Sequence, residues 1–262
     1  IRNLEQPKRP SEDRKGEVEF SHVSFSYPGA EEEVLHDITF TAKKAETVAF
    51  IGSTGSGKST LVNLIPRFFD VSEGVIRVDG VDIREMDIRD LRSRLGYVPQ
   101  KGILFSGTIA SNLRFGAEDA SMEELNQAAD IAQASEFIAQ KEDGMESPIA
   151  QGGTNVSGGQ KQRLSIARAV AKHPEIYIFD DSFSALDYKT DAALRQALKR
   201  ETSEATTLIV AQRISTILHA DKIMVLDNGA VAGCGTHKEL MESCEVYRQI
   251  ARSQLSEEEL KA

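Results

Sequence analysis

Gly52-Ser53-Thr54-Gly55-Ser56-Gly57-Lys58-Ser59-Thr60 orients the reading of this 262-residue chain. Before it, Thr47 to Ile51 is short and nearly all apolar, as a buried strand is; after it, Leu61, Leu64, Ile65 and Phe68 recur at helical spacing. A strand, a glycine-rich loop and a helix therefore follow one another without a gap. The loop satisfies Gly-x-x-x-x-Gly-Lys-Ser/Thr at every fixed position, and it lies between the two elements that pattern needs. Its glycines let backbone N–H groups close around a phosphate, and the helix start adds positive potential. Lys58 can reach the outer phosphate oxygens and the Ser59 hydroxyl can ligate Mg²⁺, so the expected ligands are ATP and Mg²⁺. Pro66 lacks a backbone donor and should weaken or bend the helix near its end.

Upstream, Val18, Phe20 and then Val23, Phe25 alternate with polar neighbours, and Ile38, Phe40 do the same, as half-buried strands of an antiparallel sheet would. Downstream, short apolar runs recur at Ile176 to Asp180, Thr207 to Ala211 and Lys222 to Leu226, and Asp79-Gly80 and Asn228-Gly229 mark tight hairpins. Strands of this kind alternating with helices predict an α/β fold with a mainly parallel sheet covered on both faces, beside an antiparallel β subdomain. From about 103 to 171 the pattern turns helical. Ser121 and Glu124 form a capping box ahead of Met122, Leu125, Ala129 and Ala132, and a second helix starts at Ser157, with Leu164, Ala167 and Val170 as its apolar face, and stops before Pro174. This stretch reads as an α-helical subdomain inserted in the α/β core. Residues 1–16, rich in charge and Pro, read as a linker, 17–252 as the folded domain, and 253–262 as an acidic tail, with Glu257 to Glu259 a solvated helix or frayed end.

A net charge of −10 excludes the usual electrostatics of nucleic-acid binding, so no DNA or RNA partner is expected. No apolar run approaches the ~20 residues of a transmembrane helix. Cys234 and Cys244 are too few for a disulfide framework or a four-ligand zinc site. The chain begins at Ile1 with no signal peptide, which reads as a piece of a longer polypeptide.

Two further motifs narrow the class. Ile176-Tyr177-Ile178-Phe179-Asp180 is an apolar strand ending in a carboxylate, where a nucleotide-hydrolysing site places a magnesium-side acid. Ser157-Gly158-Gly159-Gln160, preceded by Gly152-Gly153-Thr154-Asn155 and followed by Lys161-Gln162-Arg163, resembles the signature motif of ABC transporter nucleotide-binding domains. Its physics is again a glycine turn at a helix start, offering backbone donors and a Ser hydroxyl to an anion. The resemblance runs from Gly16 to about Arg252 and implies a P-loop NTPase fold of the RecA-like kind. It also implies that Tyr27 stacks on adenine, that Gln100 in Tyr97-Val98-Pro99-Gln100 contacts Mg²⁺ beside Ser59 and Asp180, and that Asp187 in Ser184-Ala185-Leu186-Asp187 belongs to the loop that crosses to a partner domain. Without it, Tyr27 is a strand-end tyrosine, Gln100 a loop amide and Asp187 a helix cap. Phe105-Ser106-Gly107-Thr108-Ile109 with Asn112-Leu113 resembles exporter-type domains, and that resemblance implies a position at the cytoplasmic face of the cell membrane with transmembrane partners.

Three positions depart from the family pattern. Asp181 stands where the family has a Glu general base, Gln212 in Leu208-Ile209-Val210-Ala211-Gln212-Arg213 replaces its switch His, and Gln151 replaces a Glu common before the signature. Asp181 is one methylene short, and a misplacement of ~1 Å can cost ~10²-fold in rate. Gln212 can donate a hydrogen bond but cannot become cationic. In this family two domains enclose two ATPs head to tail, each pocket using the phosphate loop of one domain and the signature of the other. The expectation is thus one half of a heterodimeric exporter, with a slow pocket of its own and a signature serving a partner that carries Glu and His. An ATP-holding clamp with negligible hydrolysis and a non-transport ABC ATPase are the alternatives.

Overall fold

The structure is a computed structural model and describes residues 1–10 and 12–255; the acidic run at Glu257 to Glu259 lies outside them. The described residues form two compact units, one of residues 1–95 with those from 205 onward, the other of residues 96–204. The first begins with β1 (Val18–Phe25), β2 (Leu35–Ala42), β3 (Thr47–Gly52), α1 (Lys58–Leu64), β4 (Glu73–Val78), β5 (Val81–Asp82) and α2 (Ile88–Ser93). In the second lie β6 (Leu95–Val98), which starts on the last residue of the first, β7 (Gly107–Thr108), α3 (Ile109–Arg114), α4 (Met122–Ile131), α5 (Ser135–Ala139), β8 (Pro148–Ile149), α6 (Gly158–Ala171), β9 (Ile176–Asp180) and α7 (Tyr188–Glu201). The first unit then resumes with β10 (Thr206–Val210), α8 (Ile214–Ile217), β11 (Lys222–Asp227), β12 (Ala230–Gly235), α9 (His237–Ser243) and α10 (Glu245–Gln254).

In the first unit β3 is flanked by β10 and β11, both parallel to it, and β12 adds an antiparallel edge to β11. Side chains alternate across these strands. Ala49, Ile51, Ile223 and Val225 share one buried cluster with Ile214, Ile217, Leu240, Tyr247 and Ala251 of α8, α9 and α10. Phe50 points the other way and meets Phe40 at 5.4 Å, which in turn stacks on Phe20 at 4.6 Å. Those two rings belong to the antiparallel sheet β2-β1-β4-β5. The parallel strands are thus apolar on both faces because both are covered.

Within β1 the apolar residues change phase, from Val18 and Phe20 to Val23 and Phe25. A register shift between Phe20 and Val23, with His22 at φ 51°, absorbs the extra residue and keeps all four side chains buried. Both expected hairpin turns form, with consecutive left-handed residues at Asp79 and Gly80 (φ 52° and 81°) and at Asn228 and Gly229 (φ 46° and 78°).

Helix α1 is shorter than its apolar spacing suggests. Arg67 turns left-handed at φ 53°, its N–H donates to the Leu64 carbonyl and that of Phe68 to the Asn63 carbonyl, a closure that normally uses glycine. Pro66 stands at this stop, and Phe68, read as part of the helical face, lies beyond it and is exposed. The guanidinium of Arg92 donates to the Pro66 and Arg67 carbonyls that the ended helix leaves behind.

In the second unit β9 lies beside β6, and most of the remainder is helical. Leu125, Ala129 and Ala132 are buried as expected, whereas Met122 in the first turn of α4 is exposed. Leu164, Ala167 and Val170 of α6 are fully buried. The two-residue pair β7–β8 also lies here, too short to leave a period in the sequence.

Candidate functional site

The phosphate loop lies in the first unit, where β3 ends at Gly52. A Cβ there would come 2.1 Å from the Leu226 carbonyl oxygen on β11, so the neighbouring strand admits only glycine. Ser53, Thr54 and Gly55 form the exposed crest of the loop, and the Ser56 N–H donates back to the Ser53 carbonyl. Gly57, at φ 97°, starts α1; a Cβ on it would stand 2.7 Å from Leu35 Cδ2. No side chain caps α1, and its first turn carries no acid to offset the helix dipole. The buried Lys58 curls back, its Nζ donating to the carbonyls of Gly52 (2.9 Å) and Ser53 (2.7 Å) and to Ser56 Oγ (3.3 Å). A glycine-rich loop, a helix start without a side-chain cap and a cation together suit a polyphosphate.

Tyr27 follows β1 and is tied to the same helix, its hydroxyl 2.9 Å from Thr60 Oγ1. The ring meets Phe25 and Phe69 edge-on, at 5.0 and 5.2 Å. Gln212 is exposed just past β10, and its carbonyl accepts a hydrogen bond from Gln254 Nε2 at 2.8 Å.

The other candidate residues belong to the second unit. Asp180 ends β9, and Asp181 after it is buried with its backbone at φ 47°, a left-handed conformation that aspartate tolerates better than most residues. Gln100 Nε2 donates to Asp181 Oδ2 at 3.1 Å, joining two of the expected site residues. Burial raises the Tyr97 hydroxyl pKa, and the Asp180 carboxylate raises it further, so this tyrosine stays neutral.

Ser157 caps α6 reciprocally. Its Oγ accepts from the Gln160 N–H at 3.2 Å, and Gln160 Oε1 accepts from the Ser157 N–H at 3.0 Å. A Cβ at Gly158 would meet nothing within 4 Å, so this start is open to solvent. Asp187 caps α7, accepting from the Thr190 N–H at 3.0 Å, and hydrogen bonding at Thr190 holds its carboxyl below the ordinary range. Gln151 lies exposed in a short turn before the signature.

Two supporting residues were given no role from the sequence. The buried Gln162 of α6 accepts from the Gly102 N–H and donates to the Pro99 carbonyl, gripping the backbone on both sides of Gln100. Arg168 donates to the carbonyls of Ile103 and Asn112 and to Asn112 Oδ1, with its guanidinium against the rings of Phe105 and Phe115. Burial lowers its pKa to about 10, which leaves it cationic at neutral pH. Spacing could not reveal either, since both partners come together only through the fold.

Among the described residues no group of three or more His, Cys, Asp and Glu side chains could hold a metal. Mixed hydroxyl, amide and carboxylate donors completed by phosphate and water are what magnesium accepts instead. Among the described residues no helix is long and apolar enough to cross a membrane.

Residues 35–184 match the family model described as ABC transporter. An uncharacterized ABC transporter ATP-binding protein of Mycobacterium bovis is 47% identical over 255 residues, covering 96% of this chain and 44% of the relative. A Bacillus subtilis protein, provisionally named as a multidrug export ATP-binding/permease protein, is 45% identical, covering 90% of this chain and 41% of its own length. A bacterial Atm1-family ABC exporter solved with ATP bound superposes with a TM-score of 0.92 at 36% identity, covering 98% of this chain and 45% of that one. The chain thus spans less than half the length of these relatives.

Proposed function

This chain belongs to the ABC transporter family, and from that premise we propose that it is the ATP-binding and ATP-hydrolysing domain of an exporter, working with a second nucleotide-binding domain and with membrane-spanning segments at the cytoplasmic face. The observation that carries the reading is the uncapped start of α1 with Lys58 drawn into the loop beneath it. The exporter setting is supported by the relative named for multidrug export and by the solved exporter that shares the fold.

In this reading residues 52–60 hold the phosphates and the Tyr27 ring takes the adenine. Ser59, Gln100 and Asp180 are the groups that would hold Mg²⁺, whose charge would offset that of the phosphates. Ser157, Gly158, Gly159, Gln160 and Asp187 serve the partner domain's nucleotide. Asp181 takes the proton from the attacking water, and Gln212 donates a hydrogen bond to the terminal phosphate. Both are weaker than the Glu and His of the family pattern. The Asp181 carboxylate reaches less far, with one oxygen already engaged by Gln100, and Gln212 brings no charge to the developing negative centre. We therefore assign the slow pocket of a heterodimer to this chain, with its signature completing the faster pocket of a partner bearing Glu and His.

Asp181→Glu combined with Gln212→His should raise the single-turnover rate of ATP hydrolysis by about 10²-fold, the scale on which ~1 Å of misplacement acts. An unchanged rate would remove the slow-pocket reading and leave the ATP-binding domain intact. Hydrolysis by the parent chain at the rate of a domain that has both Glu and His would remove it equally.

A further inference from the structure

The last residue of the C-terminal helix makes an exchange that the reading above does not use. Gln254 Nε2 donates to the Gln212 carbonyl at 2.8 Å, and Gln254 Oε1 accepts from the Ile214 N–H, also at 2.8 Å. A single side-chain amide thereby pairs with a backbone acceptor and a backbone donor on either side of Arg213, as a neighbouring strand would. Position explains the need. The ladder between β10 and β3 ends where the Ala211 N–H donates to the Phe50 carbonyl, and α8 then begins at Ile214 with Arg213 as its N-cap. Arginine has no acceptor with which to cap a helix, and no side-chain cap bond forms at Arg213. Gln254 Oε1 supplies the missing acceptor from 40 residues away.

The clamp has a firm base. Helix α10 is seated by Tyr247 and Ala251, both fully buried in the cluster that also holds Ile214 and Ile217 of α8. Gln254 itself is exposed, so its amide reaches the segment from a solvent-facing position.

We propose that Gln254 is a positioning residue for the switch segment: it fixes the backbone on both sides of Arg213 and so sets the direction in which the Gln212 side chain is presented, which makes the C-terminal helix part of the machinery that governs hydrolysis. The inference rests on Gln212 as the switch residue. Only a primary amide of this length supplies both halves of the exchange. A glutamate keeps the acceptor for Ile214 but sets a carboxylate oxygen against the Gln212 carbonyl, and an alanine keeps neither.

The test uses the full chain with Gln254→Ala, Gln254→Glu, Gln212→Ala and the double variant Gln212→Ala/Gln254→Ala. Amide exchange without nucleotide, the melting temperature, the single-turnover rate and the ATP concentration for half-maximal rate are measured on each. With Gln254→Ala the Ile214 amide should exchange about fivefold faster and the rate should fall about fivefold, the scale of one net hydrogen bond, at unchanged half-maximal ATP. Gln254→Glu should lose the same rate while keeping Ile214 protected, which separates presentation of Gln212 from simple capping of α8. In the Gln212→Ala background the second substitution should have no further effect on rate. A parent-like rate for Gln254→Ala beside a slowed Gln212→Ala overturns this inference alone. An equal further fall in the double variant also overturns it, because Gln254 would then act on general stability. A parent-like rate for Gln212→Ala overturns the switch reading and this inference with it.

Discussion

Two helices of this protein begin on glycine turns beside a serine, and they begin differently. Helix α6 is closed by its own side chains: Ser157 and Gln160 satisfy each other's backbone N–H groups. Helix α1 has no such cap, begins on a left-handed Gly57 and has a lysine folded into the loop before it. One start is closed by the side chains of its own first turn; the other has no side-chain cap. Sequence similarity between glycine-rich helix starts thus conceals different capping. The uncapped one is suited to grip an anion by itself, the capped one to add donors to an anion held elsewhere.

The strongest way to break the contrast is Lys58→Ala, which removes the cation from the uncapped start. ATP affinity measured by titration should fall about 10- to 100-fold, the scale of one charge-assisted hydrogen bond; unchanged affinity would show that the lysine only ties the loop together. Next comes a matched glycine pair. Gly57→Ala must carry a Cβ at φ 97° against Leu35 and should cost about 2 kcal/mol in urea unfolding, whereas Gly158→Ala meets open space and should be neutral or stabilising by up to about 1 kcal/mol. Equal effects at the two sites would erase the distinction. Ser157→Ala removes the cap of α6 and should cost about 1 kcal/mol, read as a fall in melting temperature of about 2–4 °C. Smallest is Ser157→Gly, which should cost only a few tenths of a kcal/mol.

The capped and uncapped starts also mark where sequence reasoning reached and where it stopped. The order of strand, loop and helix around Gly52 was legible because period, glycine spacing and the lysine all agree. The capping box at Ser157 is legible as Ser-x-x-Gln, but its closure becomes visible only once Gln160 is seen turned back to the Ser157 N–H. The stop of α1 was half legible: Pro66 announced it, while the left-handed Arg67 and the two carbonyls taken up by Arg92 depend on residues distant in the chain. Met122 and Phe68 show the converse failure, since apolar spacing places a residue on a face without saying whether anything covers it. Gln162 and Gln254 were illegible for another reason. Each is an ordinary amide on a helix, and only the fold brings it to a backbone segment that needs both a donor and an acceptor.

Residues 1–16, read from sequence as a linker, are fastened along much of their length. Asn3 exchanges hydrogen bonds with Asp87 and the Ile88 N–H, Lys8 pairs with Glu85, and the Gly16 N–H donates to the buried Asp79, which also holds Arg94. In mechanical terms this segment is a tether with graded anchorage. A pull on its first residues would load the exposed contacts at Asp87 and Glu85 first, and those can yield and re-form in water. The Gly16–Asp79 junction would take the load last, and behind it lies the turn between β4 and β5. Tension entering along this tether would therefore be spent on surface bonds before it could disturb the sheet that carries Phe20 and Phe40.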